Sequence, residues 1–409
     1  MLKYLFRLIG VLLLVIVLYG LLNFKLLKRV YHSITLFDES VIVQNFQNMA
    51  DIVDVKVIEP SASPYQWAER KDYQLLERFS FKDSVFTVKD YFQNTRTEGF
   101  MVIHRDTIVF ESYYNDLEPE ETHISWSVAK SFVSTLIGIL HDEGKFQLMD
   151  PITKYLPELK NSGYNDVPIK YILQMSSGVG YNEDYGDFNS DINRFGRAFA
   201  AGSPLIDFAK SLKRERPPGT YNHYVSIDTQ VLGFLIKKLS GKSVTEFMKE
   251  RIWEPMGMEH HGEWIVDNTG MEMVLGGLNA SLRDFAKLGM LYLHNGEFNG
   301  KRIISEEWVK MATTPDAPHL LPNQTDLSSN HHGYGFQWWI PQHDEGDFFA
   351  VGIYNQFVYV QPSTDLVIAK LSANHHFKKQ RQITKDIHLA MFKEFAKDLE
   401  EETILTEHQ

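Results

Sequence analysis

No cysteine occurs in the 409-residue chain. That absence excludes disulfides, thiol catalysis, thiolate-bound zinc and a lipid-modified cysteine anchor. Positive charge is also short. Lys and Arg number 41 against 53 Asp and Glu, giving a net charge of −12, and no basic patch interleaved with aromatics appears, so no nucleic-acid partner is expected. No Gly-rich phosphate loop or dinucleotide fingerprint follows a strand-like run. The histidines offer little to a metal: His260-His261, His331-His332 and His375-His376 are adjacent pairs. Neighbouring residues point apart on a helix and to opposite faces of a strand. Neither a metal nor a cofactor is expected.

What remains is an ordinary globular balance, 44% hydrophobic and 23% charged, in a chain long enough for a large core and two or three structural units. Residues 1–30 read as a membrane anchor or uncleaved signal segment. Residues 8–24 form an uncharged, mostly apolar run flanked by Lys3 and Arg7 before it and by Lys25, Lys28 and Arg29 after it. With 4–6 added it is long enough to span a bilayer, with Arg7 snorkelling. No small-x-small cleavage site follows, which favours an anchor over a removed signal. Charge on both flanks leaves the orientation open. Residues 31–84 read as a linker and N-terminal extension, with a linker or loop at Glu59 to Pro64.

The chemistry centres on Ser125-Trp126-Ser127-Val128-Ala129-Lys130. Ser127 and Lys130 form a Ser-x-x-Lys pair, and residues three apart share a helix face. A serine hydroxyl needs an adjacent base to become a nucleophile. A lysine serves only if burial or positive surroundings lower its pKa. No Asp, Glu, Lys or Arg lies between Ser131 and His141, so a buried helix is expected, stopped at Gly144. Its N-terminus adds positive potential that favours a neutral amine and a developing oxyanion.

Around this helix the pattern is strand-rich at both ends and helical in the middle. β-rich runs at 99–104 and 107–113 read as a hairpin, and 86–92 as a short helix before them. Helices are expected over 168–182 (ending in a Ser-Ser-Gly loop), 193–214, 229–239, 244–253, 282–293 and 306–311. Strands are expected at 333–340, 348–352, 356–360 and 366–371, with a helix over 380–399 packed on them. Trp338-Trp339 reads as core and pocket wall. The acidic stretch 181–191, with Glu183, Asp184, Asp187 and Asp191, fits either a solvated loop or a wall preferring a cationic group. The fold class is α+β, an antiparallel sheet flanked by helices with a mainly helical second subdomain. The main domain runs from 85 to 398, with the helical insertion at about 150–275. Residues 399–409 form an acidic tail.

In this order the motifs resemble the serine β-lactamase and penicillin-recognising superfamily, in its class C and esterase-like branch. The resemblance covers roughly 85–395. It is carried by Ser127-Val128-Ala129-Lys130, Met175-Ser176-Ser177-Gly178, Pro218-Gly219-Thr220 followed by Tyr224-Val225-Ser226, and Gly276-Gly277-Leu278 with Arg283-Asp284. The stretches 175–185, 334–339 and 350–356 look most similar to nylon-oligomer (6-aminohexanoate-dimer) hydrolases and related carboxylesterases. The resemblance implies a β-lactamase/transpeptidase-like fold and a Ser127 acyl-enzyme. Lys130 would take or relay the Ser127 proton and Tyr224 would act as general base or acid, with Tyr221 a less well spaced competitor. The backbone N–H groups of Ser127 and Ile353 would form an oxyanion hole. Gly352, Ser226 and Tyr181 would bind substrate, a side chain at 352 crowding the acyl group.

Departures from the pattern bear on substrate. Ala350-Val351-Gly352 stands where class C β-lactamases carry Lys-Thr-Gly, and Ser226 where they carry Asn. The missing cation favours a small ester or amide over a β-lactam. The alternatives are a D-amino-acid peptidase or penicillin-binding protein acting on cell-wall peptides, and a non-catalytic scaffold using the same cleft. The family's usual setting implies a single-pass membrane protein with an extracytoplasmic domain, periplasmic in a Gram-negative cell.

Overall fold

The computed structural model describes residues 2–70, 72–342 and 345–407. Positions 1, 408 and 409, at the ends of the expected anchor and tail, lie outside them. An eight-stranded sheet dominates. Its order is Gly333–Tyr334, Trp339–Ile340, Phe348–Gly352, Gln356–Gln361, Leu366–Ser372, Thr97–His104, Thr107–Tyr113 and Ala68–Glu69. All pairings are antiparallel except the last, where Ala68–Glu69 runs parallel to Thr107–Tyr113. Leu366–Ser372 pairs with Thr97–His104 and so joins the C-terminal meander to the N-terminal hairpin.

Both faces of this sheet are covered, which explains why every residue of Thr97–His104 is buried. On one face lies helix Leu282–Leu293, capped by the Ser281 hydroxyl on the Asp284 N–H. It approaches so closely that a Cβ on Gly289 would sit 2.5 Å from Val367. On the other face lies helix Phe377–Glu407, whose Phe392 and Phe395 meet Phe100 at 6.4 and 5.5 Å between ring centroids. The helix continues through the segment read as an acidic tail as far as Glu407.

A second, four-stranded sheet has the order Val55–Ile58, Gly262–Ile265, Leu278–Ala280, His123–Ile124. Its last strand leads directly into the Ser-x-x-Lys segment. Val55–Ile58 belongs to the stretch read as linker, and Ile42 and Phe46 from the same stretch are fully buried. Residues 31–84 are therefore packed structure over much of their length. Long-range pairing and aromatic contacts hold them, which no local periodicity announces.

The buried helix is Ala129–Asp142. Gly144 ends it at φ +68°, with its N–H on the His141 carbonyl and the Lys145 N–H on the Leu140 carbonyl. Packed against it is helix Ser226–Ser240. Four expected elements differ. The 168–182 helix is confined to Ile169–Leu173, because Met175 turns left-handed at φ +51°. The 193–214 helix is two, Asp191–Ala200 and Leu205–Ser211, broken at Gly202 and Pro204. The 244–253 helix changes from α over Val244–Met248 to π over Lys249–Trp253. The 333–340 run is a hairpin. Its turn residue Gln337 has φ +63° and is tied by its side chain to the Leu173 carbonyl (2.8 Å) and the Thr229 hydroxyl (2.6 Å).

Candidate active site

Ser127 lies in a single 3-10 turn, Trp126–Val128, between strand His123–Ile124 and helix Ala129–Asp142. The turn is held by the Ser125 N–H on the Leu278 carbonyl (2.8 Å) and the Val128 N–H on the Ser125 carbonyl (3.2 Å). Ser127 remains half-buried at the wall of a cavity of about 280 Å³.

Lys130 is on the first helical turn, 1% exposed, and its amine donates to the Leu275 carbonyl. Burial pushes its pKa down to about 7, against the pull of the Glu183 and Asp228 carboxyl groups, which raise it. Burial acts this way because it penalises the charged ammonium. The amine stands 5.5 Å from the Tyr224 ring centroid. Tyr224 is in the loop that opens helix Ser226–Ser240, buried and stacked on Trp339 at 5.3 Å and 21°, with the Tyr334 ring edge-on at 6.2 Å.

Opposite the serine turn is the end of strand Phe348–Gly352. A Cβ on Gly352 would sit 2.4 Å from the Ser125 carbonyl oxygen. The glycine is therefore needed for the close approach of two backbone segments, a reason different from the expected crowding of an acyl group. Ile353 follows in the turn to Gln356–Gln361 and lines the cavity with Ser127, Tyr224 and Gly352.

Two expected wall residues are elsewhere. Ser226 is 1% exposed and donates its hydroxyl to Glu183 at 2.7 Å. Tyr181 is 5% exposed, and its carbonyl accepts from the His223 ring at 2.6 Å. Neither is among the cavity-lining residues. Tyr221 also lies off the wall, under the Arg216 guanidinium at 4.4 Å.

The acidic stretch divides into two kinds of residue. Glu183 turns into the site, accepting from Ser226 and from the Tyr185 hydroxyl at 2.7 Å. Asp184 and Asp187 instead accept loop N–H groups at Gly186 and Asn189, both at 2.8 Å. Of the tryptophan pair, Trp339 lines the cavity and Trp338 is core. Residues missed from the sequence include His223, Asn330 and Lys385, whose amine lies 4.5 Å over the Trp339 ring. Lys385 sits on a C-terminal helix legible only as packing, so no local motif marks it. Behind the wall Asp228 is fully buried and accepts from Tyr164 (2.8 Å) and Ser177 (2.9 Å). Burial raises its pKa well above the usual carboxyl range. Among the described residues no cluster of His, Asp and Glu is arranged to hold a metal ion.

A serine on a tight turn, a buried lysine of lowered pKa and a tyrosine beside it thus lie together between a helix start and a sheet edge. The family model described as Beta-lactamase matches residues 89–390. The chain belongs to that family and is a serine hydrolase of the β-lactamase-related type. It is 29% identical over 289 residues to 6-aminohexanoate-dimer hydrolase of Paenarthrobacter ureafaciens, covering 69% of this chain and 74% of that one. A solved structure from Bacillus anthracis, provisionally named a 6-aminohexanoate-dimer hydrolase, superposes with a TM-score of 0.77 at 25% identity, over 88% of this chain and 96% of that one. The hydrolase EstCE1, with promiscuous acyltransferase activity, shares the fold at a TM-score of 0.56 and 14% identity, over 70% and 91% of the two chains.

Proposed function

We propose that the enzyme cleaves small esters or amides through an acyl-enzyme on Ser127. Lys130, half neutral near pH 7 and more fully so above it, takes the hydroxyl proton as Ser127 Oγ bonds to the substrate carbonyl carbon. The carbonyl oxygen gains charge facing the backbone N–H groups of Ser127 and Ile353. Tyr224 hands a proton to the departing alcohol or amine, and Lys130 restores it. Water then adds to the acyl carbon by the reverse proton path and frees the acid and Ser127. No step requires a metal or a cofactor.

The observation that carries this reading is the buried Lys130, its pKa drawn to about 7 beside Tyr224. A lysine buried without ion pairing at side-chain contact is costly unless its neutral form is used. The similarity to 6-aminohexanoate-dimer hydrolase favours an amide or ester of small linear acids. Ser127→Ala removes the nucleophile without removing core volume. Turnover of a short-chain nitrophenyl ester should vanish with the thermal midpoint unchanged. Full turnover in that variant would falsify the assignment. A persistent penicilloyl adduct on Ser127 would move the function to cell-wall peptides.

Helix Leu2–Leu22 is the proposed anchor. Its stretch Lys3–Leu22 has a mean hydropathy of 2.7 and no buried residue. Twenty residues rise about 30 Å, the thickness of a bilayer core. An anchored hydrolase with its catalytic domain outside the cytoplasm fits this arrangement.

A further inference from the structure

Two bulky residues of the site hold backbone conformations that bulky residues avoid. Trp126, just before Ser127, has φ +46°, and Tyr354, just after Ile353, has φ +63°. Left-handed backbone at an aromatic residue is sterically costly and persists only where its surroundings fix it. Trp126 shares a peptide unit with the Ser127 N–H, and Tyr354 is joined to the Ile353 N–H through the Ile353 Cα and the peptide after it. A relaxation of Trp126 to right-handed backbone would swing the Trp126–Ser127 peptide and carry the Ser127 N–H with it.

The same two rings hold both residues. Phe37 stacks face to face on Tyr354 at 5.0 Å and 9°, and lies 5.5 Å from Trp126. Phe46 meets Trp126 at 5.4 Å and Tyr354 at 5.2 Å, edge-on to each. Phe377, on the cavity wall, closes the cluster on Tyr354 at 5.2 Å. Phe37 and Phe46 come from the segment between helix Phe24–Thr35 and strand Val55–Ile58. That segment is fastened at several points. Gln47 donates to the buried Glu98 carboxyl (2.8 Å), Asn45 bonds back within the segment to the Leu36 carbonyl (3.1 Å), and in the helix just before it Arg29 Nε donates to the Ala200 carbonyl (2.9 Å). Neither phenylalanine lines the cavity.

We propose that residues 36–47 are a positioning arm: Phe37 and Phe46 hold Trp126 and Tyr354 left-handed, and so fix the separation of the Ser127 and Ile353 N–H groups. The inference rests on the oxyanion role proposed above for those two groups. It makes the segment nearest the apolar helix a working part of the active site rather than a tether. Phe37 is the residue to test, because it is half-exposed and Phe46 is core.

The experiment uses the full chain in detergent, with Phe37→Ala, Phe37→Leu and Phe37→Tyr compared with the parent. Three quantities are read: kcat and KM on a short-chain nitrophenyl ester, the fraction of sites titrated by a fluorophosphonate, and the thermal midpoint. Displaced oxyanion donors act on the transition state, so Phe37→Ala should lower kcat about ten- to a hundredfold with KM within about twofold. The titratable fraction should hold. Phe37→Tyr should recover the rate, because it keeps the stacked ring, and Phe37→Leu should not. A Phe37→Ala kcat within about twofold of the parent overturns the proposal. If Phe37→Ala loses titratable sites, the volume-keeping Phe37→Leu decides: full kcat per titrated site overturns the proposal, and a lowered one upholds it. A Ser127→Ala control that keeps turnover would instead overturn the acyl-enzyme itself, whatever Phe37 does.

Discussion

Lys130→Met replaces a fully buried amine by an uncharged side chain of similar length, and its effect on stability has a definite dependence on pH. In the folded chain burial holds the Lys130 pKa at about 7, against 10.5 in its ordinary state. A lowered folded pKa means that the unfolded chain binds more protons between those values. Stability therefore rises with pH from about 7 to about 10.5, and below 7 the full penalty stands. At roughly 1.4 kcal/mol per unit the penalty is of the order of 5 kcal/mol at its largest, and roughly half of it disappears between pH 7 and 9. Lys130→Met carries no such term. Urea unfolding of parent and variant at pH 7, 8 and 9 should show the stability gap between them shifting by about 2 kcal/mol in favour of the parent as pH rises. The parent's kcat/KM should climb with pH, half-maximal near 7, as the amine becomes neutral. Parallel stability curves, or an activity flat from pH 6 to 9, would refute a lysine held near neutrality by burial.

Other perturbations follow from the same geometry. Glu183→Gln removes a carboxylate that raises the Lys130 pKa, so the acidic limb of the pH–rate profile should move to lower pH. A limb that stays or moves up would deny the coupling. Gly352→Ala drives a Cβ to within 2.4 Å of the Ser125 carbonyl, and should cost about 1–3 kcal/mol in unfolding free energy together with most of the activity. An alanine variant with parental kcat would mean that the serine turn and the strand end are not held against one another. Gly138→Ala, whose Cβ would sit 2.6 Å from the Trp308 indole, should destabilise by a similar ~1–3 kcal/mol. With kcat per folded molecule preserved, calorimetry and active-site titration together would separate it from Gly352→Ala.

Legibility in the sequence followed the range of the forces involved. Helix Leu282–Leu293 and strand Phe348–Gly352 have the expected bounds, because a hydroxyl cap and a glycine turn mark them locally. The charge-free run after Lys130 announced a buried helix for a similarly local reason. The hairpin at 333–340 was hidden, since its turn depends on Gln337 reaching Leu173 and Thr229. The arm around Phe37 and Phe46 was hidden too, because aromatic stacking across hundreds of residues leaves no periodic trace. Ser226 and Tyr181 could be numbered but not oriented. One turns its hydroxyl to Glu183 and the other is buried behind the wall. Glu183 itself could not be told from Asp184 and Asp187, which bond to their own loop.

The most direct measurement treats the full chain with a fluorophosphonate and locates the adduct by peptide mass spectrometry, with ester turnover followed in parallel. Acyl transfer through Ser127 requires one adduct, on Ser127, formed at the rate at which turnover is lost. Its formation should slow below about pH 7, where Lys130 is protonated. An adduct on another serine, or loss of turnover with Ser127 unmodified, would contradict the mechanism.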